Sequence, residues 1–399
     1  MIAFARMDEH RFSTTIDRLL ELEDPLMRFF GSLETVDHDD PEVCDFVAGN
    51  PQEMALPAFV DAIQRWSVPK DPHWYAYKFN EDYACEAIAA GLRERRGVAF
   101  EPADVFVTDG AFAGLNMTLR MVTDPGDEVV FVSPPWFFYE ALIVAAGGTP
   151  VRVRCDRETW DLDVAAIEAA LTERTRAIIV NSPNNPTGRI YPPETLERLA
   201  AVLTAASERN GRPLYLISDE AYSRIVFDDR TFRSPTEFYP YSFLVYTYGK
   251  QLLTPGERVG YVALPPQMPD RSRMHAAAML AQLAIGGQGV PGAVLQRSIP
   301  ELETFTVDLK ALQDRRDRLV EALTSFGYDV HSPEGTFYLL PTSPGADDQA
   351  FVERLARAKV FVLPGHLVEL PGRFRISVTG NDDMVERAIP IFEAAAKDA

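Results

Sequence analysis

Three charged residues that could do chemistry together lie in the middle of the 399-residue chain. Asp219 ends the apolar run 214–219, Lys250 ends the run 243–250, and Arg258 follows eight residues later. A lone lysine after a strand is usually a solvated charge. Beside a carboxylate, a guanidinium and amide or hydroxyl donors, its pKa can be lowered so that the amine attacks a carbonyl carbon. The sequence predicts such an amine if the fold gathers these side chains.

Two polar donors accompany the charged residues. Asn185 lies in a turn stiffened by two prolines, residues 182–188 (SPNNPTG), which leaves its amide little freedom. Tyr222 follows Asp219 by three residues and can turn its hydroxyl toward the same side. Both donors therefore extend the group around Lys250.

Two other segments could hold parts of a flat, phosphorylated ligand. Residues 108–112 (TDGAF) end a predicted strand and open a helix, so their free N–H groups can bind a phosphate. Trp136, after SPP at 133–135, can be an aromatic platform. Taken singly, the plainer interpretations are a helix cap and a core tryptophan.

These residues follow short apolar runs that read as strands of one sheet, at 104–108, 128–132, 177–181, 214–219, 243–248 and 259–264. Helical patterns at 112–121, 136–146, 164–171 and 194–209 alternate with them. The alternation predicts an α/β fold with a mostly parallel sheet flanked by helices. Ligands bind beyond the carboxyl ends of such strands, where the candidate residues lie.

The C-terminal part has a different pattern. A long helix is predicted at 309–326, short strands at 335–340 and 373–378, and a last helix at 382–396. This pattern indicates a smaller α+β domain, and the chain length also favours two domains.

Composition excludes several classes of protein. The formal charge of −20 argues against nucleic acid and anionic membrane as partners. The 3 cysteines form no CxxC, so a disulfide scaffold or structural zinc is not expected, and His38-Asp39-Asp40 lacks further spaced ligands, so no metal site is predicted. Residues 1–6 are too short for a signal peptide and no stretch could span a membrane, which favours a cytoplasmic protein.

One ligand accounts for all these groups, a planar aromatic aldehyde with a ring nitrogen, a phenolic oxygen and a phosphate, namely pyridoxal 5′-phosphate. The motifs also resemble those of the class I/II, fold-type I aminotransferases, nearest the aspartate aminotransferase-like branch. They occur in family order, at 124–128 (DPGDE), 184–188 (NNPTG), 218–222 (SDEAY), 249–250 with 256–260 (GK, GERVG) and 374–377 (FRIS). The similarity runs from about residue 47 to near the C-terminus.

The resemblance implies roles in binding the cofactor. Lys250 matches the lysine that forms the Schiff base and moves the substrate proton, and Asp219 matches the partner of the ring nitrogen. Asn185 and Tyr222 match the donors to the phenolic oxygen, and Trp136 matches the stacking ring. The predicted catalytic residues are thus Lys250, Asp219 and Tyr222.

The phosphate of the cofactor has its own set of matching groups. They are Arg258, the backbone of Gly110, Ala111 and Phe112, and the hydroxyl of Thr247. The residues before the lysine are usually serine-rich in the family, whereas Thr247-Tyr248-Gly249 stands here, so one hydroxyl is missing.

For the substrate, the resemblance implies binding by Arg375, Asn185 and Gly49. Arg375 matches the arginine that binds the α-carboxylate with two parallel hydrogen bonds. Tyr75 aligns with a tyrosine that the neighbouring subunit donates to the phosphate, which implies a homodimer with shared active sites; a plain surface tyrosine is the alternative.

Three features depart from the family pattern. Glu257 replaces a common tryptophan, and His366 replaces a small residue, where we expect a solvated loop histidine. No arginine fills the second-carboxylate site of true aspartate aminotransferases, which puts a dicarboxylate substrate in doubt.

The resemblance also changes the expected domain division. It predicts a large domain at 62–275 and a small domain built from 1–61 and 276–399. The function it favours is transfer of an amino group between an L-amino acid and a 2-oxo acid through a Lys250 Schiff base. Lyase, cyclase or oxidase chemistry on the same cofactor is the alternative. A ligand-sensing domain without catalysis is a third hypothesis, but such sensors carry a DNA-binding segment, for which this acidic chain has neither room nor charge.

Overall fold

The fold is described from a computed structural model for residues 12–285, 290–345 and 347–397. Residues 1–6, predicted to be too short for a signal peptide, lie outside these ranges. The strands in the described ranges are β1 Cys44–Asp45, β2 Val105–Thr108, β3 Glu128–Ser133, β4 Thr149–Arg154, β5 Thr175–Asn181, β6 Tyr215–Asp219, β7 Ser242–Thr247, β8 Gly260–Ala263, β9 Tyr338–Leu339, β10 Val360–Phe361, β11 Leu363–Pro364 and β12 Phe374–Ser377.

Helices cover most of the remaining chain. The α-helices are α1 Thr14–Leu33, α2 Pro57–Ser67, α3 Asp82–Arg96, α4 Gly110–Val122, α5 Tyr139–Ala145, α6 Val164–Ala170, α7 Pro193–Asn210, α8 Tyr248–Gln251, α9 Arg271–Leu280, α10 Ala293–Leu302, α11 Leu309–Ser325, α12 Asp348–Arg357 and α13 Asp382–Lys397. Five predicted helices are confirmed as α4, α6, α7, α11 and α13.

One predicted helix begins later than expected. The pattern at 136–146 predicts a helix from Trp136, but α5 begins at Tyr139. The ring of Phe138 instead packs edge-on against the rings of Trp136 and Phe137 in the preceding turn. Aromatic packing in a turn has the same apolar signature as the first turn of a helix, so the pattern could not separate the two.

The central feature is a seven-stranded sheet in the order β2-β8-β7-β6-β5-β3-β4. The pairs from β7 through β6, β5 and β3 to β4 are parallel, and β8 runs antiparallel to both β2 and β7. This confirms the predicted α/β class with a mostly parallel sheet. The six predicted strands of this sheet are all present, each shifted by at most two residues.

Strand β4, at the edge of the sheet, was missed by the sequence analysis. Its sequence, TPVRVR, carries two arginines and a proline, and most of its side chains are exposed or half-buried. An edge strand has one open side and needs no continuous apolar run, so it lacks the signal that marks the central strands.

The sheet is buried on both faces because alternate side chains of its strands point in opposite directions. Ile179 of β5 and Ile217 of β6 belong to the hydrophobic cluster on one face. Their neighbours Ile178 and Leu216 belong to the cluster on the other. Full burial of such side chains contributes roughly 1.5–3 kcal/mol each, so the central strands hold a rigid platform.

The register of the central strands brings their carboxyl ends to one edge. Asn181 of β5 pairs with Asp219 of β6, and Asp219 pairs with Val245 of β7, two residues before Thr247. On the other side, Thr108 of β2 pairs with Gly260 of β8. The chemistry-bearing turns predicted from the sequence therefore share this edge.

A third hydrophobic cluster joins the N-terminal and C-terminal segments. Strand β1 pairs in parallel with β10, and β11-β12-β9 form an antiparallel sheet. Phe46, beside β1, shares this cluster with Phe337, Phe374 and Phe392. Helix α10 packs instead with Phe59 of α2 and with α3. The domain boundaries at 62 and 275 stay a prediction.

Candidate active site

A cavity of about 240 Å³ opens where the carboxyl ends of the sheet strands face the C-terminal cluster. Most of the residues predicted for the site line this one cavity. They are Gly49, Ala111, Phe112, Trp136, Asn185, Asp219, Tyr222, Thr247, Lys250, Arg258 and Arg375. Gly110 lies directly behind Arg258, and Tyr75 lies outside the cavity.

Lys250 is presented by the short helix α8, directly after β7. Its Nζ lies 5.8 Å from the ring centroids of both Tyr222 and Phe337. Thr247 caps this helix, because its hydroxyl oxygen accepts from the N–H of Gly249 at 3.3 Å and the hydroxyl donates to the Val259 carbonyl at 3.2 Å. The cap orients the turn that carries the amine.

Asp219 is a buried carboxylate at the end of β6. Its Oδ2 accepts from the Tyr139 hydroxyl at 2.6 Å, and its Oδ1 accepts from the N–H of Ala221 at 3.2 Å. Burial raises the pKa of Asp219, against the lowering effects of Tyr139, Ala221 and the charge of Lys250. Within the described residues Asp219 has no ion pair, so a positive partner is missing from a carboxylate that needs one.

Arg375 is a buried guanidinium on β12, across the cavity from the sheet. Its Nη1 donates to Oδ1 of Asn185 at 3.0 Å, and its Nη2 donates to the Val47 carbonyl at 3.0 Å. Its Nε is buried without a hydrogen-bond acceptor in the described part of the chain. Both oriented contacts are to neutral oxygens, so the charge of Arg375 is available to an incoming carboxylate.

Two tyrosine hydroxyls bond to each other between Lys250 and Arg375. Burial raises the pKa of Tyr222 well above its ordinary value, and its bond to Tyr338 acts in the same direction. Burial would also raise the pKa of Tyr338, but the charges of Arg375 and Lys250, with hydrogen bonds from Tyr222 and the Gly49 backbone, lower it. Tyr222 therefore keeps its proton, while the cations Arg375 and Lys250 lower the pKa of Tyr338.

Gly49 allows the backbone to approach this pair closely. A Cβ at this position would stand 2.8 Å from the Tyr338 hydroxyl and would collide with the ring of Phe337. Any side chain larger than hydrogen would push the 47–50 segment away from Arg375, to which Val47 is bonded.

Arg258 lies over the N-terminus of α4. Its Nη1 donates to the Pro255 carbonyl at 2.7 Å, and its Nη2 donates more weakly to the Asp109 carbonyl at 3.4 Å. Gly110 begins the helix with a φ of +80°, and a Cβ there would stand 2.7 Å from Nη2 of Arg258. Together with the free N–H groups of the first helical turn, Arg258 makes a site suited to a phosphate.

An aromatic group covers the opposite side of the cavity. Trp136 meets Phe112 edge-on, with ring centroids 5.2 Å apart, and meets Tyr139 at 5.5 Å. Trp136 is half-buried, which leaves part of its ring open to the cavity. This arrangement can hold a flat ring between Trp136 and the sheet edge.

Three residues singled out in the sequence lie away from the cavity. Tyr75 is 57% exposed and donates its hydroxyl to the Ser67 carbonyl. Glu257 is exposed. His366 is not simply solvated, because its Nδ1 lies 2.9 Å from Asp348 and its N–H donates to the same carboxylate at 2.8 Å.

Two residues that contact the predicted ones, Tyr139 and Tyr338, were not predicted from the sequence. Tyr139 begins α5, three residues after Trp136, and that spacing was the available signal. Tyr338 lies in a short strand predicted at 335–340, where nothing local distinguishes it from a core aromatic residue.

The donor set fits pyridoxal 5′-phosphate. Asp219 has no ion pair among the described residues, which suits a protonated ring nitrogen, and Arg258 with the first turn of α4 suits a phosphate. The primary amine of Lys250 lies in the same cavity. No group of three or more potential metal ligands occurs in the described ranges.

Comparison with known proteins gives a consistent result. The family model for aminotransferase class I and II matches residues 41–392. The chain is 32% identical over 359 residues to the aspartate/prephenate aminotransferase of Thermus thermophilus, covering 86% of this chain and 89% of that protein. It is 31% identical over 316 residues to the aspartate aminotransferase of Thermotoga maritima, covering 77% and 79%.

Solved structures agree. An aminotransferase from Eubacterium rectale superposes with a TM-score of 0.84 at 31% identity, covering 97% of this chain and 96% of that one. The aspartate aminotransferase of Thermus thermophilus with maleate gives a TM-score of 0.79 at 26% identity, covering 97% and 100%.

Proposed function

The chain belongs to the class I and II aminotransferases, and on this basis we propose that the cavity around Lys250 is its active site. The protein is an aminotransferase, which moves an amino group between an amino acid and a 2-oxo acid. One observation carries the assignment of the site. One cavity holds three groups: the primary amine of Lys250, the buried carboxylate of Asp219, which has no ion pair among the described residues, and the buried guanidinium of Arg375, which faces neutral oxygens.

We propose pyridoxal 5′-phosphate as the cofactor. When bound, it supplies an aldehyde that exchanges amines and a ring that takes up electrons from the substrate Cα. Asp219 would hold the ring nitrogen, and Arg258 with the α4 N-terminus would hold the phosphate. Asn185 and Tyr222 would donate to the phenolic oxygen.

The protonation of Tyr222 supports this assignment. Burial raises the pKa of Tyr222 well above its ordinary value, so its hydroxyl keeps its proton beside Lys250. That single proton can be given either to Tyr338 or to the ligand, and we propose that it turns to the phenolic oxygen when the cofactor is bound. Tyr139 acts on Asp219 instead of on the ligand. Its hydroxyl donates to the carboxylate and orients it toward the cavity.

The substrate would enter with its α-carboxylate on Arg375. The planar guanidinium already holds Asn185 and Val47, so its position is set before the substrate arrives. Lys250, 5.8 Å from the Tyr222 ring, would take the proton from the substrate Cα at Nζ. The 47–50 segment, close to Tyr338 through Gly49, would help to exclude water.

We also propose a homodimer in a cytoplasmic setting. Two segments carry exposed apolar side chains, Tyr77 and Phe79 in one and Met279, Leu280 and Leu283 in the other, and a hydrogen bond of 2.8 Å from Asn80 to Gln282 joins the segments into one apolar patch. Patches of this kind mark protein interfaces. Tyr75, two residues before Tyr77, is 57% exposed, and in a dimer its hydroxyl would exchange its bond to the Ser67 carbonyl for one to the partner's cofactor. No helix in the described ranges is long and apolar enough to cross a bilayer.

A half-reaction tests the proposal. Protein loaded with pyridoxal 5′-phosphate is mixed with an L-amino acid in the absence of a 2-oxo acid. We expect one equivalent of 2-oxo acid per site, formed together with the amino form of the cofactor, and none from the Lys250→Ala variant. Equal product from Lys250→Ala would refute the role of Lys250. Continued turnover without an acceptor would instead favour lyase, cyclase or oxidase chemistry, which the relatives do not support.

A further inference from the structure

The cationic side chains of the cavity all have a role in the proposed function. Among the described lining residues they are Lys250, Arg258 and Arg375. The proposed function gives them to the amine chemistry, the phosphate and the α-carboxylate. A second carboxylate on the substrate would therefore meet no cationic side chain of this subunit's described residues.

The wall beside Arg375 is aromatic. The guanidinium carbon of Arg375 lies 6.0 Å from the ring centroid of Phe137. Phe30, which α1 brings to the cavity, meets Phe137 edge-on at 6.4 Å. Both rings are half-buried and line the cavity, and they pack with Val47 in a small apolar cluster. A substrate held by its α-carboxylate on Arg375 would direct its side chain against these rings.

The region behind this wall is rich in acid. Phe137 also lines a second cavity of about 300 Å³, together with Glu23, Glu140, Glu369 and Arg152. Arg152 is engaged, with Nη2 2.5 Å from Glu140 and Nε 2.7 Å from Glu369.

The remaining basic group of that second cavity is also paired. His366 bonds to Asp348 at 2.9 Å. The carboxylates behind Phe137 therefore outnumber the free positive charges, and they disfavour an anionic side chain near the wall.

We infer that the site selects amino acids with one carboxylate and a large apolar side chain, and that Phe30 and Phe137 determine this specificity. The inference rests on the proposed function, since it places the α-carboxylate on Arg375. An apolar side chain gains by leaving water for the aromatic wall, whereas a carboxylate would lose its hydration without an ion pair to the described residues of its own subunit. The named relatives act on aspartate or prephenate, so the inferred substrate class differs from the one in their names.

The first test compares amino donors in the half-reaction of the holoenzyme. We expect L-phenylalanine and L-leucine to react with a kcat/KM at least about tenfold higher than L-aspartate and L-glutamate. An equal or higher value for aspartate or glutamate would overturn the inference while leaving the aminotransferase assignment intact. Failure of all four donors to react would count against the proposed function. The binding of inert analogues would then test the specificity.

Binding of inert analogues supplies a readout that needs no turnover. 3-Phenylpropanoate and succinate share a carboxylate with the substrates and lack the amino group. By calorimetry on the holoenzyme, we expect 3-phenylpropanoate to bind about tenfold more tightly than succinate. Tighter binding of succinate would contradict the aromatic wall.

Variants assign the effect to the two rings. Phe30→Ala and Phe137→Leu should each lower the affinity for 3-phenylpropanoate about tenfold. The affinity for propanoate should stay unchanged, because Arg375 still holds the carboxylate. Leu20→Ala is the matched control, since Leu20 is an exposed residue of the same helix α1. Phe137→Leu keeps an apolar side chain and covers the case in which Phe30→Ala does not fold. Equal loss of both ligands, or no loss of either, would remove these rings from the specificity.

Discussion

Two opposite charges, Asp219 and Arg375, are buried on two sides of one cavity without ion-pair partners among the described residues. A buried charge without its partner costs several kcal/mol of folding free energy. Folded proteins keep such charges where a ligand completes them. Tyr139 and Asn185 partly compensate through oriented hydrogen bonds, and they also point the charged groups at the cavity.

Arg375→Lys should raise the KM for the amino donor by about 10-fold to 100-fold, because an ammonium cannot reproduce the two parallel hydrogen bonds of a guanidinium. The dissociation constant of pyridoxal 5′-phosphate should stay nearly the same. Steady-state kinetics and cofactor titration measure the two quantities. Arg373→Lys is the control, since Arg373 binds Asp329 outside the cavity. An unchanged KM in Arg375→Lys would rule out the carboxylate role.

For single residues, the sequence predicted the charged side chains that follow strands. It did not predict the side chains from distant segments that contact them in the folded chain. Asp219 and Lys250 could be found because an apolar strand that ends in a charge is a local pattern. Tyr139 and Tyr338 touch the site through contacts between segments 80 and more residues apart. For Tyr139 the available local signal was its spacing of three residues from Trp136, whereas no local pattern encodes the contact of Tyr338, which only the folded chain could show.

Among the elements, helix α4 combines two geometric requirements at its first residue. Gly110 has a left-handed φ of +80°, and Arg258 packs where its Cβ would be. Gly211, the residue after α7, has a similar φ of +63° but open space around it. Substitution of each of these two glycines therefore distinguishes the cost of backbone strain, which both share, from the effect of the contact with Arg258, which only Gly110 has.

Gly110→Ala and Gly211→Ala should each lower the free energy of unfolding by about 1–2 kcal/mol, the cost of a left-handed conformation for alanine. Only Gly110→Ala should also weaken the binding of pyridoxal 5′-phosphate, because its methyl group displaces Arg258. Thermal unfolding and cofactor titration give both values. If both variants bound the cofactor like wild type, the phosphate site at α4 would be wrong.

Helix α1 carries a titratable contact near the substrate wall. Partial burial and the charge of Glu140 raise the pKa of Glu23 from 4.5 to about 7. Glu369, Arg152 and His366 face the same cavity. The docked helix thus binds this proton more tightly than the free helix, so its docking is strongest below pH 4.5 and weakens as the pH rises toward 7.

Hydrogen exchange of the α1 amides should therefore show extra opening between pH 5 and about 7, after correction for the intrinsic rate. Glu23→Gln should remove this pH dependence. Glu21→Gln, at an exposed position of the same helix, should keep it. A pH dependence that survives in Glu23→Gln would assign it to another group.

The whole molecule combines an acidic surface with a cationic cavity. The formal charge is −20, yet Lys250, Arg258 and Arg375 line the same site. Net charge therefore describes solubility and excluded partners, while the substrate responds to the local field. The exposed apolar patch around Asn80 interrupts this acidic surface.

Phe79→Asp should convert the proposed homodimer to monomers, because a charge in the centre of an apolar interface is costly. Sedimentation velocity measures the change, and half-reaction activity should fall with it if Tyr75 serves the partner's site. Phe12→Asp is the control, since Phe12 is exposed far along the chain from this patch. A wild-type protein that sediments as a monomer with full activity would contradict shared active sites.

The most direct test of the account is to identify the lysine that bonds to the cofactor. Borohydride treatment of protein loaded with pyridoxal 5′-phosphate makes that bond permanent, and peptide mass spectrometry then locates it. We predict that Lys250 is the one modified lysine. The other lysines should stay unmodified, because they lie outside the cavity: Lys70, Lys78, Lys310, Lys359 and Lys397. Modification of another lysine, with Lys250 free, would contradict the proposed active site.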